Sequence, residues 1–227
     1  MGKPTSNILV LFTDQQRWDT CGCYGQRLDV TPNLDRLARE GVLFRHAFPC
    51  QPMCGPARVC MQTGLYATQI GVNTNDVALP LDADTIAKRL SAAGYETGYV
   101  GKWHLASNYS ADWFRPPPGA KRIDLTTLPI PPERRGGYRD FWVAADVLEF
   151  TSHGYGGYMY DAQGRKVEWG QDRYRADAVA DFALEFLRTR SGKHPWFLFV
   201  SFLEPHHQND RNRYEGPIGS RERFANF

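Results

Sequence analysis

Three apolar stretches of this sequence end in side chains that acid–base or metal chemistry uses. NILVLFT runs into Asp14-Gln15, ETGYVG into Lys102-Trp103-His104, and PWFLFVSF into Glu204-Pro205-His206-His207. A carboxylate, an ammonium and imidazoles are the groups that hold cations, balance anions and move protons. A fourth position is a cysteine in an unusual setting. Cys54 lies in QPMCGPARVCMQTGLY, next to Gly55 and Pro56 and four residues before Arg58. By residue type alone Cys54 is open to pairing, packing, metal binding or nucleophilic catalysis with His104 as base.

These groups act together only if the fold brings them to one place. Each apolar run has the length and continuity of a buried parallel strand. Between them lie helical patterns. TPNLDRLAREGVLF has Thr31 as a candidate N-cap, Pro32 in the first turn, Leu34, Leu37 and Ala38 on one face, and Gly41 as a stop. A second helix is expected around Ala83–Ala93, ending at Gly94, and a third in DRYRADAVADFALEFLRTR. Alternating helices and apolar strands imply an α/β domain whose mostly parallel central sheet is flanked by helices. In such sheets ligands bind beyond the carboxyl ends of the strands, so the three polar strand ends converge on one edge. Residues 108–170 differ, being rich in Pro, Gly, Arg and aromatics without helical period. They read as a loop-rich insertion, with YMYDAQGRKVEW as a hairpin turning at Gln163-Gly164.

Composition removes several classes. Among 227 residues, 27 basic and 25 acidic side chains leave a net charge of +2, which gives no bulk attraction to nucleic acid or to an anionic membrane. The N-terminal apolar run of about six residues is too short for a signal-peptide core or a membrane span. A cytoplasmic location is expected, or a periplasmic or secreted one if a leader was removed. The five cysteines are separated by one, twenty-six, three and five residues, with no CxxC pair. That spacing argues against a structural zinc, and an odd number prevents complete internal pairing. Cys50 and Cys60 read as reduced packing residues.

CGPAR followed by TGLY resembles the signature of the sulfatase family within the alkaline phosphatase superfamily. Further segments match that family in the same order: NILVLFTDQ, GCYG with TPNLDRLAREGVLFRHAF, AGYETGYVGKWHL, and PWFLFVSFLEPH. The likeness covers most of residues 7–105 and 172–207, and marks 1–227 as the N-terminal portion of a sulfatase catalytic domain. It implies that Cys54 is oxidised to formylglycine by a formylglycine-generating enzyme, with Pro56 and Arg58 part of the modification signal. It implies a divalent cation, calcium by the hardness of its oxygen donors, held by Asp14, Gln15 and residue 54. Arg58 would neutralise the nucleophile, Lys102 and His104 would hold it, and His206 would contact the sulfate ester and protonate the leaving alcohol. Asn75 would help bind the anion. The implied substrate is a small-molecule or carbohydrate sulfate ester, and the sequence assigns no oligomeric state.

Two positions depart from the commonest family pattern. Many sulfatases carry two carboxylates after the first strand where Asp14-Gln15 stands, and many carry Ser where Ala57 stands. Branches that cleave phosphonate monoesters or phosphodiesters share these features, so that activity is the alternative. After His207 no further Asp-His or Asp-Asn motif follows. A fragment is therefore expected that alone binds calcium weakly and turns over little, with a noncatalytic remnant as the competing reading.

Overall fold

The computed structural model describes residues 6–108, 121–190 and 192–226. Six strands form one sheet in the order β1-β6-β2-β3-β4-β5. In chain order these are β1 (Ile8–Phe12), helices α1 (Pro32–Glu40), α2 (Cys54–Thr63), α3 (Ala67–Ile70) and α4 (Ile86–Ala92), then β2 (Glu96–Lys102). They continue with β3 (Phe141–Ala145), the short α5 (Leu148–Thr151), the hairpin β4 (Tyr155–Asp161) and β5 (Lys166–Tyr174), α6 (Arg175–Arg188) and β6 (Trp196–Ser201). β1, β6, β2 and β3 run parallel, whereas β4 and β5 join antiparallel. The sheet is thus mixed, and four of its six strands are parallel.

Two apolar layers sandwich the sheet. On one side Val59 of α2, Ala67 of α3 and Ala87 of α4 close over Tyr99, Trp103, Tyr138, Trp142, Phe197 and Phe199. On the other, Val179, Ala183 and Phe186 of α6 cover Val100, Val143, Leu198 and Val200. The period-2 alternation of β2 sends Tyr99 to the first layer and Val100 to the second. Tyr99 stacks on Phe199 with centroids 5.4 Å apart and on Trp142 at 5.3 Å. Full burial of such side chains contributes about 2–3 kcal/mol each, which makes this layer the main support of the edge above it.

Several expectations change here. β1 is parallel as expected, yet it is an edge strand with Leu9 and Leu11 exposed. Among the described residues only β6 pairs with it, and only the face carrying Ile8, Val10 and Phe12 is covered. Helix α1 forms where its pattern requires, but buries none of its residues, and the Thr31 hydroxyl accepts from Gly22 N–H rather than capping the helix. Helix α4 begins at Ile86 because Thr85 caps it, its hydroxyl accepting from Lys88 N–H. The third helix starts at Arg175, since β5 takes residues as far as Tyr174. Within 108–170, where a loop-rich insertion is expected, β3, β4 and β5 add half of the sheet's strands, and the hairpin turns at Gln163-Gly164. Residues 109–120 of that segment lie outside the described residues.

Candidate active site

Strands β1, β6 and β2 are sheet neighbours and parallel, so Asp14, Lys102, His104 and His206 emerge from the same edge. Helix α2 meets that edge with its N-terminus, and its first residue is Cys54. No side chain caps α2 at Met53. Asn75 instead accepts from the Gly55 N–H at 2.8 Å. A Cβ on residue 55 would come within 3.3 Å of that Asn75 oxygen, so glycine allows the close approach. The amides and positive dipole end of the first turn favour an anionic group beside residue 54.

Behind Cys54 lies a buried cluster of four charges. Lys102 Nζ is 2.9 Å from Asp14 Oδ2 and 2.9 Å from Glu149 Oε1. Arg58 donates to Asp14 Oδ2 at 3.1 Å, and to Lys102 O and Ser201 Oγ at 2.7 Å each. Its guanidinium lies over the Phe12 ring, 5.2 Å from the centroid. Two cations thus face two carboxylates with almost no solvent contact. The Cys54 thiol reaches the front of this cluster, with Sγ 3.6 Å from Asp14 Oδ1 and 3.9 Å from Lys102 Nζ. Gly101 makes the packing possible: its φ is +105°, and a Cβ there would stand 2.0 Å from Ser201 O.

Electrostatics follow from this layout. Burial alone would raise the Asp14 carboxyl, but Lys102 and Arg58 outweigh it and hold the group far below the usual carboxylate range. Glu149 balances burial against Lys102 in the same way and falls to about 2. Burial opposes the Lys102 charge, yet Glu149 and Asp14 raise its pKa above the ordinary value. Burial also pushes the Cys54 thiol up, and the pull of Lys102 only partly offsets it. An unmodified Cys54 is therefore a protonated thiol at neutral pH, the wrong state for a cysteine nucleophile. Burial, then the charges of Lys102 and Arg58, bring His104 down to about 3. His104 is a neutral imidazole with a buried, unpartnered Nδ1 and a left-handed backbone, φ +56°.

His206 completes the front of the site. One ligand atom each from Asp14, Cys54 and His206 lies within 4.8 Å of the others. The His206 Nδ1 is 2.6 Å from His207 O, and a carbonyl only accepts, so Nδ1 carries a proton and Nε2 is left for the cleft. Gln15 turns its oxygen to the His207 N–H at 3.0 Å, joining the ends of β1 and β6. That oxygen keeps a second lone pair for a cation. The donors fit a hard divalent cation through Asp14 and Gln15, and the fit improves if position 54 presents oxygen instead of sulfur. The adjoining cleft, about 730 Å³, is lined by Gln15, Phe48, Met53, Cys54 and Asn75 among others.

Three participants were not apparent from the sequence. Asp146 follows β3 and accepts from Leu105, Ala106 and Ser107 N–H at 2.9–3.0 Å, shaping the turn that presents Lys102 and His104. Glu149 follows in α5. The run FWVAAD is itself an apolar stretch ending in Asp, the same signal as NILVLFTD, and it marks this fourth strand end. Ser201 receives Arg58 from inside β6. Cys60 is buried as expected, whereas Cys50 is exposed beside the cleft with its thiol against that of Cys60.

Comparison with known proteins identifies relatives of the whole fold. The Sulfatase family model matches residues 6–224. The uncharacterized sulfatase YidJ of Escherichia coli (strain K12) is 32% identical over 231 residues, covering 97% of this chain and 41% of that protein. The crystal structure of the putative sulfatase yidJ from Bacteroides fragilis superposes with a TM-score of 0.81 at 26% identity, over 100% of this chain and 49% of that one. BT4656, solved with its substrate D-glucosamine-2-N,6-O-disulfate, gives a TM-score of 0.69 at 27% identity, over 88% and 35%. The chain thus spans less than half the length of each of these three relatives. With its signature cysteine opening a helix over the buried Asp14–Arg58–Lys102 cluster, and a family match along nearly all its length, this chain belongs to the sulfatase family.

Proposed function

We propose that this chain forms the nucleophile-bearing part of an enzyme that hydrolyses sulfate esters, with a sulfated carbohydrate as substrate. The observation that carries the reading is the seating of residue 54 at the N-terminus of α2, within reach of Asp14, Lys102 and His206. Formylglycine at position 54, installed by a formylglycine-generating enzyme, would once hydrated supply two hydroxyls on one carbon, one to attack sulfur and one whose proton loss re-forms the aldehyde as sulfate leaves. A divalent cation, calcium by the hardness of the donors, would be held by Asp14, Gln15 and the oxygen at 54, and supplies Lewis acidity.

The chain's own residues do the rest. Arg58 and Lys102, both charged at any working pH, stabilise negative charge at residue 54 from behind. His104 is neutral, and burial with the charges of Lys102 and Arg58 holds it at about 3, so it would take a proton from the group at 54 only as negative charge builds up there. His206 lies beside Asp14 and residue 54, and with its Nδ1–H held by His207 O it would donate to the ester or leaving oxygen only as the imidazolium, with Nε2 protonated as well. Asn75 holds the first turn of α2 and lines the cleft on the anion's side. The carbohydrate assignment draws support from the disulfated glucosamine bound by one structural relative.

Peptide mass spectrometry of the Cys54 segment, after expression beside a formylglycine-generating enzyme, tests the reading. Conversion lowers the peptide mass by about 18 Da through loss of sulfur and two hydrogens and gain of one oxygen. A peptide that remains cysteine, in a host that converts a control sulfatase, sinks it. Asp14-Gln15 and Ala57 support a second reading, hydrolysis of phosphonate monoesters or phosphodiesters. Assaying sulfate and phosphonate esters side by side, with the converted protein, separates the two.

A further inference from the structure

Behind the loop that carries His206 stands an arginine outside the cleft. Arg175 is the first residue of α6 and is 1% exposed. Its Nε donates to Glu204 Oε1 at 2.8 Å. Its Nη1 donates to Gln208 Oε1 at 3.1 Å, and to Ser152 O and Oγ at 3.2 and 3.3 Å. Glu204 and Gln208 lie two residues to either side of His206. One planar fork therefore grips both flanks of the turn that presents this imidazole. Gln208 also donates to Glu149 O at 3.0 Å, and Glu149 holds Lys102.

Arg175 is poorly placed for helix stability. A cation in the first turn opposes the positive end of the helix dipole, and burying a guanidinium costs several kcal/mol before its partners repay it. An apolar side chain would start α6 more cheaply. The return lies in what the fork holds. The His206 Nδ1–H points to His207 O only while the 204–208 turn keeps its shape, and that bond decides which ring nitrogen faces the cleft.

We propose that Arg175 is a positioning residue: by clamping Glu204 and Gln208 it fixes the tautomer and direction of His206. The inference rests on the reading of His206 as the group that meets the substrate. Lysine at 175 would keep the charge but lose the fork, and a methionine paired with Glu204→Gln would remove the charge pair without stranding a buried carboxylate.

The test is ring-nitrogen NMR of the full 227-residue chain, 15N-labelled at histidine and metal-free, with His206→Gln assigning the signal. Wild type shows the proton on Nδ1. Arg175→Lys and the double variant Arg175→Met/Glu204→Gln shift the tautomer ratio at least about tenfold toward Nε2–H, with near-UV circular dichroism unchanged. If Arg175→Lys does not fold, the double variant decides. A folded variant with an unaltered His206 signature overturns the proposal, and so does unfolding of both, since Arg175 is then a support of the core. The readout needs no formylglycine, cation or turnover, so a chain that fails to cleave sulfate esters leaves this result standing.

Discussion

Replacing Glu149 by glutamine tests the charge balance of the buried cluster. Glutamine keeps the shape of the side chain and resembles protonated glutamate, so the substitution removes little except the charge. In the folded protein Glu149 titrates at about 2, against an ordinary 4.5. A depressed pKa means stability that is present above the unfolded value and lost as pH falls through the folded one. The difference between the two values corresponds to about 3 kcal/mol at neutral pH. At pH 3, between the two values, about half of it remains. Glu149→Gln is therefore expected to lower the unfolding free energy by about 3 kcal/mol at pH 7 and by about half that at pH 3. Urea denaturation of both proteins at a series of pH values measures the difference. A gap that stays constant from pH 7 to pH 3 refutes the argument, because the loss would then come from packing and not from the charge facing Lys102.

Two further substitution and labelling experiments follow from the same geometry. Gly101→Ala places a Cβ against Ser201 O at a residue with φ +105°, so a loss of about 3 kcal/mol or more is expected, read as a lower urea midpoint; an unchanged midpoint contradicts the close approach of β2 and β6. In unmodified protein, timed alkylation with iodoacetamide should label exposed Cys50 well before Cys54, and Cys54 labelling should accelerate as pH rises, because burial raises its thiol pKa. Labelling of Cys54 first at pH 7 would mean a thiolate and would reopen conventional cysteine catalysis.

The parts of the site that were legible in the sequence are those whose signal is local. Asp14, Lys102 and His206 each end an apolar run, and parallel strands carry such ends to one edge whatever their order. Sheet order itself left no local trace: β6 lies between β1 and β2 although almost 200 residues separate it from β1 in the chain. The β4–β5 hairpin was legible in YMYDAQGRKVEW, whereas β3 was hidden because FWVAAD stands among glycine- and proline-rich segments. Glu149 and Arg175 were hidden for another reason. Glu149 meets Lys102 across 47 residues, and Arg175 meets Glu204 and Gln208 across 29 and 33. Each reads as an ordinary helical charge until the fold removes its water. Helix α1 shows the opposite failure, a correct amphipathic pattern whose apolar face the described residues leave open.

The insertion of β6 between β1 and β2 also sets a timetable. Asp14 and Lys102 stand on strands that do not touch each other, and Ser201 of β6 supplies one of the bonds that seat Arg58. The pocket around residue 54 cannot close until β6 has been made. About 150 residues separate Cys54 from the end of β6, roughly 10–30 s of synthesis at ordinary elongation rates. Throughout that interval Arg58 lacks the Ser201 bond that β6 supplies. The late arrival of one central strand thus delays the closing of the charged cluster behind Cys54 until most of the chain has been made.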